Sequence, residues 1–235
     1  IQGGIAVALA GMALPGWTYE AMGFAHSNQH LLMQLHGLPE LGRVVAPEEG
    51  AIGWGLDVDW TSEYTGDSVG MTAAPGSESI LLDAETMRVT LGAVVNWSGW
   101  LLEARVPYLE HRGGGLDSFI DDWHELTGLP TGGRESAPRD RLLVRYERDG
   151  QAVFNLSESA QGLGDIRIGV ARPVGQTVVR MSLKLPTGDA DTLTGSGGLD
   201  GSVSVDFHGP SGARWSRVPP SAPKTTPVSA VSASA

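Results

Sequence analysis

Apolar and polar residues alternate with a period of two along several strand-length stretches of the chain. Trp54, Leu56, Val58 and Trp60 share one parity, against Gly55, Asp57, Asp59 and Thr61 on the other. The period returns at Met87, Val89, Leu91, Ala93, Val95 and Trp97, set against Arg88, Thr90, Gly92 and Asn96. It returns again at Val179, Met181, Leu183 and Leu185, set against Arg180, Ser182 and Lys184. Successive side chains of a strand point to opposite faces, so each stretch has one apolar and one wet face. Charges recur on the wet face, which suits a sheet that lines water on one side and is covered by something apolar on the other. That is the signature of an antiparallel outer-membrane β-barrel, weak in any one segment and carried by repetition. The shared parity puts Trp54, Leu56, Val58, Met87, Val89, Leu91, Met181 and Leu183 in an outward apolar band, with Arg88, Arg180 and Lys184 facing a wet lumen.

The same reading predicts strands at 53–62, 79–97, 100–110, 141–148, 152–159, 165–171, 177–185 and 199–207. Apolar parity switches between Ala84 and Met87, which predicts a bulge there. Asn96 to Gly99 reads as a turn, and Asp149-Gly150 as a two-residue hairpin. One segment has a different period. Over 117–127, Phe119, Ile120, Trp123 and Leu126 recur at helical spacing, with Asp117 in the N-cap position and Gly128 and Pro130 ending the run. This short amphipathic helix fits a lumen plug, a cover over one mouth, or a position on the membrane surface. Trp54, Trp60, Trp97, Trp100 and Tyr108 fall near strand ends, where aromatic girdles mark the two interfaces of a bilayer; a soluble β-sandwich would hold the same residues indoors.

Composition narrows the function classes. Sixteen basic against 27 acidic residues leave a net charge of −11, without a basic stripe for a polyanion, which argues against nucleic-acid binding. The 33 glycines favour tight hairpins and close-packed strands over an all-α fold. The absence of cysteine excludes disulfides, thiolate metal sites and a cysteine nucleophile. An apolar, Ala-rich run at 5–14, followed by small residues near Ala21 and Ala25, reads as the remnant of a signal peptide and is too short to span a bilayer. From Gly209 the chain turns to Pro, Ser, Ala, Thr and Val without alternation, which predicts a disordered tail carrying no strand. The expected organisation is a signal remnant over 1–25, a β-barrel domain over 26–208 and a low-complexity tail over 209–235. Ending in such a tail, with no terminal aromatic strand, the barrel is expected to be incomplete.

Chemistry-bearing residues are densest around the helix. His111, Asp117, Asp121 and His124 form a set in which carboxylates and imidazoles could converge on a metal or on acid–base work. The competing reading has Asp117 capping the helix, the other acids in water and His124 bonded to a loop. Ser118, His124 and Asp121 have triad chemistry, but triads are built from groups that meet across a fold. Gly113-Gly114-Gly115 and Gly162-Leu163-Gly164-Asp165 lack the lysine and hydroxyl of a phosphate loop and read as turns.

These residues also carry a family likeness. The chain resembles a group of uncharacterised bacterial proteins, expected to be outer-membrane β-barrels and known only as a domain of unknown function. The resemblance runs through Asn28-Gln29 to Gly37-Leu38-Pro39, Leu82-Asp83-Ala84-Glu85, and Val106-Pro107-Tyr108 with His111. It continues through Gly114-Gly115-Leu116-Asp117-Ser118-Phe119-Ile120 with Trp123-His124 and Gly128-Leu129-Pro130 with Arg134, then Gly162-Leu163-Gly164-Asp165. It ends with Ser182-Leu183-Lys184-Leu185-Pro186-Thr187-Gly188 and Leu193-Thr194-Gly195-Ser196-Gly197. It implies a compartment, the bacterial outer membrane, and a barrel fold, but no catalytic residue and no cofactor. The expectation is therefore a non-enzymatic barrel in contact with the lipid bilayer that passes or binds small solutes. Two rivals stand beside it: a small hydrolase or metal-dependent enzyme using His111, Asp117, Asp121 and His124, and a soluble periplasmic ligand-binding β-domain.

Overall fold

The computed structural model describes residues 30–35, 47–65, 76–130, 137–175, 177–208 and 214–217. They build one antiparallel sheet, curled into a half-barrel, with few helical residues. After helix α1 (Leu31–Gln34) come β1 (Ile52–Tyr64), β2 (Glu78–Trp97) and β3 (Trp100–Arg112), then α2 (Asp117–Thr127). The chain continues with β4 (Leu143–Arg148), β5 (Gln151–Leu156), β6 (Ala160–Leu163), β7 (Arg167–Val174), β8 (Thr177–Lys184), β9 (Asp200–His208) and β10 (Arg214–Arg217).

The register shows how these strands form a meander. Asp83 of β2 is opposite Tyr64 of β1 on one flank and Leu143 of β4 on the other, while Glu85 is opposite Ser62 and Arg112. Hence β3 and β4 lie end to end on one flank of β2, and the excursion over 113–142 leaves and rejoins the sheet at adjacent positions. β5, β6 and β7 follow end to end along β4 and β3 in the same way. β8, β9 and β10 complete the run, and among the described residues β1 pairs only with β2 and β10 only with β9. Connections at one end of the sheet are tight. Ser98 and Gly99 have φ of 54° and 75°, the left-handed pair that a type I′ hairpin needs. At the other end lie the long connections, over 65–77, 113–142 and 185–199, together with the two-residue β4–β5 hairpin at Asp149-Gly150.

The outward parity is apolar over most of the sheet. Ile52, Trp54 and Leu56 of β1, Leu91 of β2 (52% exposed), Leu102 and Tyr108 of β3, Ile168 of β7 and Met181 of β8 (57% exposed) all lie uncovered. The opposite parity carries Arg88, Thr90, Glu103, Arg105, Arg180 and Lys184. Toward the end with the long connections this arrangement reverses. Leu82 and Ala84 lie on the inner face, buried with Leu31, Leu142, Val144, Leu156 and Leu193 in the main apolar cluster. Asp83 and Glu85 lie on the outer face there, buried beneath the excursion.

This reversal corrects the bulge expected between Ala84 and Met87. The register of β2 against β1 and β3 is unbroken through those residues. Apolar parity switches because the surroundings of the two faces exchange. Among the described residues a register shift lies instead between Tyr146 and Glu147, where β4 meets β5. A second correction concerns the tail. Arg214–Arg217 forms β10, whose backbone pairs with the edge of β9, although no strand was expected beyond Gly209. A short edge strand needs only a free backbone neighbour, not a long alternating pattern. The expected signal remnant, Asn28-Gln29, Gly37-Leu38-Pro39, Arg134 and most of the tail lie outside the described residues.

Candidate functional site

The inner face of the sheet holds charged side chains in pairs. Arg180 is 3.2 Å from Glu103, Arg105 is 3.8 Å from Asp57, and Lys184 is 2.7 Å from Asp165 and 3.0 Å from Asp200. The pairs are close because inner-facing residues of neighbouring strands stand opposite each other, as Lys184 does with Asp200. At 2% exposure Lys184 is the largest fully buried side chain among the described residues. Desolvation makes an isolated buried ammonium costly, and two carboxylates together with the Ser196 hydroxyl oxygen, which accepts a hydrogen bond from the ammonium, offset that cost here.

Around Lys184 the chain ties an inner knot. Asp165 accepts the backbone N–H of Gly188 and Ser196, at 3.0 and 2.9 Å, along with the Lys184 ammonium. Thr187 donates to the Gly164 carbonyl, and Thr194 accepts the N–H of Asp189. Gly188 and Gly195 touch backbone to backbone, so a Cβ on either would meet the other, and a Cβ on Gly164 would strike Leu109 and Pro107. The connection over 185–199 is thereby pinned to the inner wall.

An outer knot covers the same end from the opposite face. Glu85 accepts the N–H groups of Gly115 and Leu116 at 2.8 and 2.5 Å and the Trp60 indole N–H at 3.1 Å. Arg141 binds Asp83 at 2.8 Å, and Asp117 accepts the N–H of Asp140 at 2.9 Å. The Arg112 guanidinium lies 5.0 Å from the Trp60 ring centre.

The expected site residues are distributed over both faces. His111 is buried on the inner face, with its ring nitrogens 2.9 Å from the Thr86 hydroxyl and 3.1 Å from the Leu193 carbonyl. Burial first, and then the charge of Arg88, hold its pKa below the ordinary imidazole value against the opposing Leu193 bond. Asp117 sits in the excursion over the outer face, so the sheet separates it from His111. The expected N-cap is corrected: Leu116 occupies the cap position without a side-chain bond, and Asp117, first residue of α2, turns its carboxylate to Asp140. A buried carboxylate takes the donor that water cannot replace. Asp121 pairs with Arg139 at 3.1 Å, and His124 lies in the last turn of α2. The helix ends as expected at Gly128, in the left-handed conformation with φ of 67°. The four residues do not converge, and among the described residues no group of three or more His, Cys, Asp or Glu could hold a metal ion. Gly66-Asp67-Ser68-Val69-Gly70 spells a nucleophile-elbow consensus and lies outside the described residues.

Sequence reasoning missed α1, β6 and the Asp165–Lys184–Asp200 cluster. α1 docks against the inner wall by the Leu31 N–H, 2.5 Å from Glu63. Burial raises the pKa of Glu63, outweighing the charge of His30 and the Leu31 bond. The lysine cluster joins residues far apart in sequence, and its only signal was the charged residue inside each apolar alternation.

A family model described as a protein of unknown function, DUF3187, matches residues 6–222. The chain belongs to the DUF3187 family. No curated protein and no solved structure matches it.

Proposed function

We propose that the chain is an outer-membrane β-barrel protein whose interior binds small solutes at a closed end. The observation that carries this reading is the reversal of polarity along the sheet. Between Met87 and Trp97 the outer parity of β2 is apolar and the inner parity carries Arg88, Thr90, Gly92 and Asn96 with one apolar residue, Val94, buried in a small inner cluster with Leu101, Ala171 and Val178, whereas at Leu82 to Glu85 the order is that of a water-soluble protein. From Met87 to Trp97 the strand rises about 34 Å, which a tilt of about 40–45° projects to about 25 Å, the height of the apolar band of an outer-membrane barrel. Trp60 beside Arg112 at one border, and Trp100 with Arg172 at 4.7 Å toward the other, have the chemistry of interfacial anchors. In water so continuous an apolar face would be an association surface.

Outer-membrane barrels have short periplasmic turns and long external connections. The tight turn at Ser98-Gly99 then faces the periplasm and the two knots face outward. The apolar cluster of Leu31, Leu82, Val144 and Leu193 fills the interior at the knotted end. Binding at that end fits better than free passage.

The absence of native cysteine makes site-specific labelling direct. Single cysteines at Leu91 and Met181, and at Thr90 and Ser182 on the other parity, are labelled with an environment-sensitive fluorophore after refolding into phosphatidylcholine vesicles. Lipid-borne nitroxide is expected to quench the first pair and aqueous iodide the second. Equal quenching of all four by iodide, with none from lipid, overturns the membrane assignment and favours a soluble β-domain.

A further inference from the structure

Helix α2 has its polarity reversed, as the sheet does. A helix lying on a water-soluble domain sets its apolar stripe against the protein and its polar face toward water. In α2 only Asp117 is buried, and the half-buried residues are Ile120, Asp121 and His124, which share one side of the helix. Phe119, Trp123 and Leu126 fall on the other side and are 58%, 44% and 80% exposed. Leu129, just past the Gly128 cap, is exposed as well. Two polar ties hold this orientation: Asp117 accepts the Asp140 N–H, and Asp121 pairs with Arg139 at 3.1 Å. The described residues thus hold the helix by its polar side and leave its apolar stripe uncovered.

α2 begins where the outer face of the sheet changes polarity. Its lead-in residues Gly115 and Leu116 donate to Glu85, and a Cβ on Gly115 would touch the Trp60 indole, which also donates to Glu85. Trp60 is opposite Met87 in register, at the border of the apolar band. The stripe therefore starts beside the edge of that band, on the same face of the sheet. At that level an aromatic and aliphatic stripe matches the boundary between headgroups and acyl chains, where a Trp ring keeps one end apolar and the other wet. Asp122 and Glu125 are exposed on the flank and offer no attraction to anionic headgroups, so burial of the apolar stripe must supply the affinity.

We propose that α2 is an interfacial anchor, whose Phe119, Trp123 and Leu126 insert into the boundary of headgroups and acyl chains in the leaflet at the knotted end. The outer knot then has a second role, since Glu85 and Asp117 set the height of the helix. The proposal rests on the reading of the outer face as a membrane band, and it names a lipid contact that this reading does not itself require.

Single cysteines replace Leu126 and, on the flank, Glu125 in the full chain refolded into phosphatidylcholine vesicles, with the Leu91 label as reporter of the band. Nitroxides near the headgroup and near the bilayer centre, together with aqueous iodide, read the depth of each label. An interfacial helix sits about 5–10 Å into the boundary, so the shallow nitroxide should quench the Leu126 label at least about twofold more than the deep one. Iodide should quench the Glu125 label, and added salt should leave the Leu126 result unchanged. To separate the stripe from the fluorophore, the Leu126 label is also read in Phe119→Gln with Trp123→Gln, where shallow quenching should fall by about half or more as apolar area is lost. Continued lipid quenching at Leu91 shows that this variant is folded; where it fails, Trp123→Gln alone replaces the pair. Quenching that ignores the substitutions overturns the proposal, as does equal iodide quenching of both α2 labels with none from lipid. Protection of the Leu126 label from iodide and lipid alike also overturns it, and means that the chain itself covers the stripe. Lipid quenching at Leu91 without it at Leu126 removes the anchor and keeps the membrane band. The reverse result keeps the anchor on a peripheral protein and removes the barrel, so the two readings fail separately.

Discussion

Removing the Lys184 ammonium is the sharpest perturbation of this architecture. In the native chain the ammonium lies between Asp165 and Asp200 at 2.7 and 3.0 Å, with side-chain exposures of 1%, 6% and 7% for the three groups. Lys184→Met conserves most of the volume and removes the charge. Two buried carboxylates then lose the ammonium they share. Water cannot screen them at these exposures, so the discount that applies to surface ion pairs does not apply here. Breaking a buried pair by removing one partner costs about 3–5 kcal/mol, which is a large share of the ordinary stability of about 5–15 kcal/mol.

The assay is urea unfolding of the detergent-refolded protein, followed by tryptophan fluorescence, with refolding from urea to establish reversibility. A companion variant, Lys184→Met with Asp165→Asn and Asp200→Asn, separates charge from packing. Replacing all charged members of a buried cluster is far milder than orphaning one, so the triple variant should recover at least half of the single variant's loss. Asn at 165 still accepts one of the two backbone N–H groups. A loss below about 1 kcal/mol for Lys184→Met, or a triple variant no better than the single one, would refute the argument that the inner knot is held by charge.

Three further outcomes are expected. His111, whose pKa is depressed in the folded state, should make stability fall as pH drops through and below its unfolded value of 6.5, because the unfolded chain takes up the proton first. His111→Gln should flatten the dependence of the urea midpoint in that window. Gly195→Ala places a methyl group against Asp165 and the Gly188 backbone and should cost about 1–3 kcal/mol, visible as a lower urea midpoint. Glu85→Gln turns an amide donor toward the N–H groups of Trp60, Gly115 or Leu116; it should cost about 1–3 kcal/mol and increase proteolytic cleavage within 113–142.

Local features of the fold were legible in the sequence, while long-range ones were not. Alternation placed the central strands, the residues of α2 were readable from their spacing and from Gly128, and Asp149-Gly150 forms the expected hairpin, with φ of 52° and 74°. All of these depend on neighbours a few residues apart. The switch at Ala84 to Met87 was visible but was read as a change in the strand, because sequence does not say what covers a face. Asp117 was assigned to the helix that follows it, whereas its partner, Asp140, is distant in sequence. The lysine cluster joins residues from the β6–β7 break, the end of β8 and the start of β9, a meeting that only strand register creates. His111 and Asp117 stand close in sequence and on opposite sides of the sheet.

The reversed polarity also explains why the knots have the residues they have. A soluble domain gathers its strands around apolar side chains, a force roughly proportional to the area removed from water. Here that area on the outer face remains uncovered within the chain, so it contributes nothing to holding the ribbons in register from inside. Inside, two small apolar clusters, around Leu82 and around Val94, pack the strands, and directional contacts add to them: paired charges, N–H groups on carboxylates, and glycines close enough to exclude a Cβ. Those contacts concentrate where the polarity changes, between Glu85 and Leu116 outside and between Asp165, Lys184 and Ser196 inside. Outward positions such as Leu91 and Met181 need only be apolar, which is a loose requirement. A residue in a knot must satisfy particular donors in a dry place, where an unmet group costs about 1–3 kcal/mol. The residues of the two knots therefore belong first to the architecture of the chain.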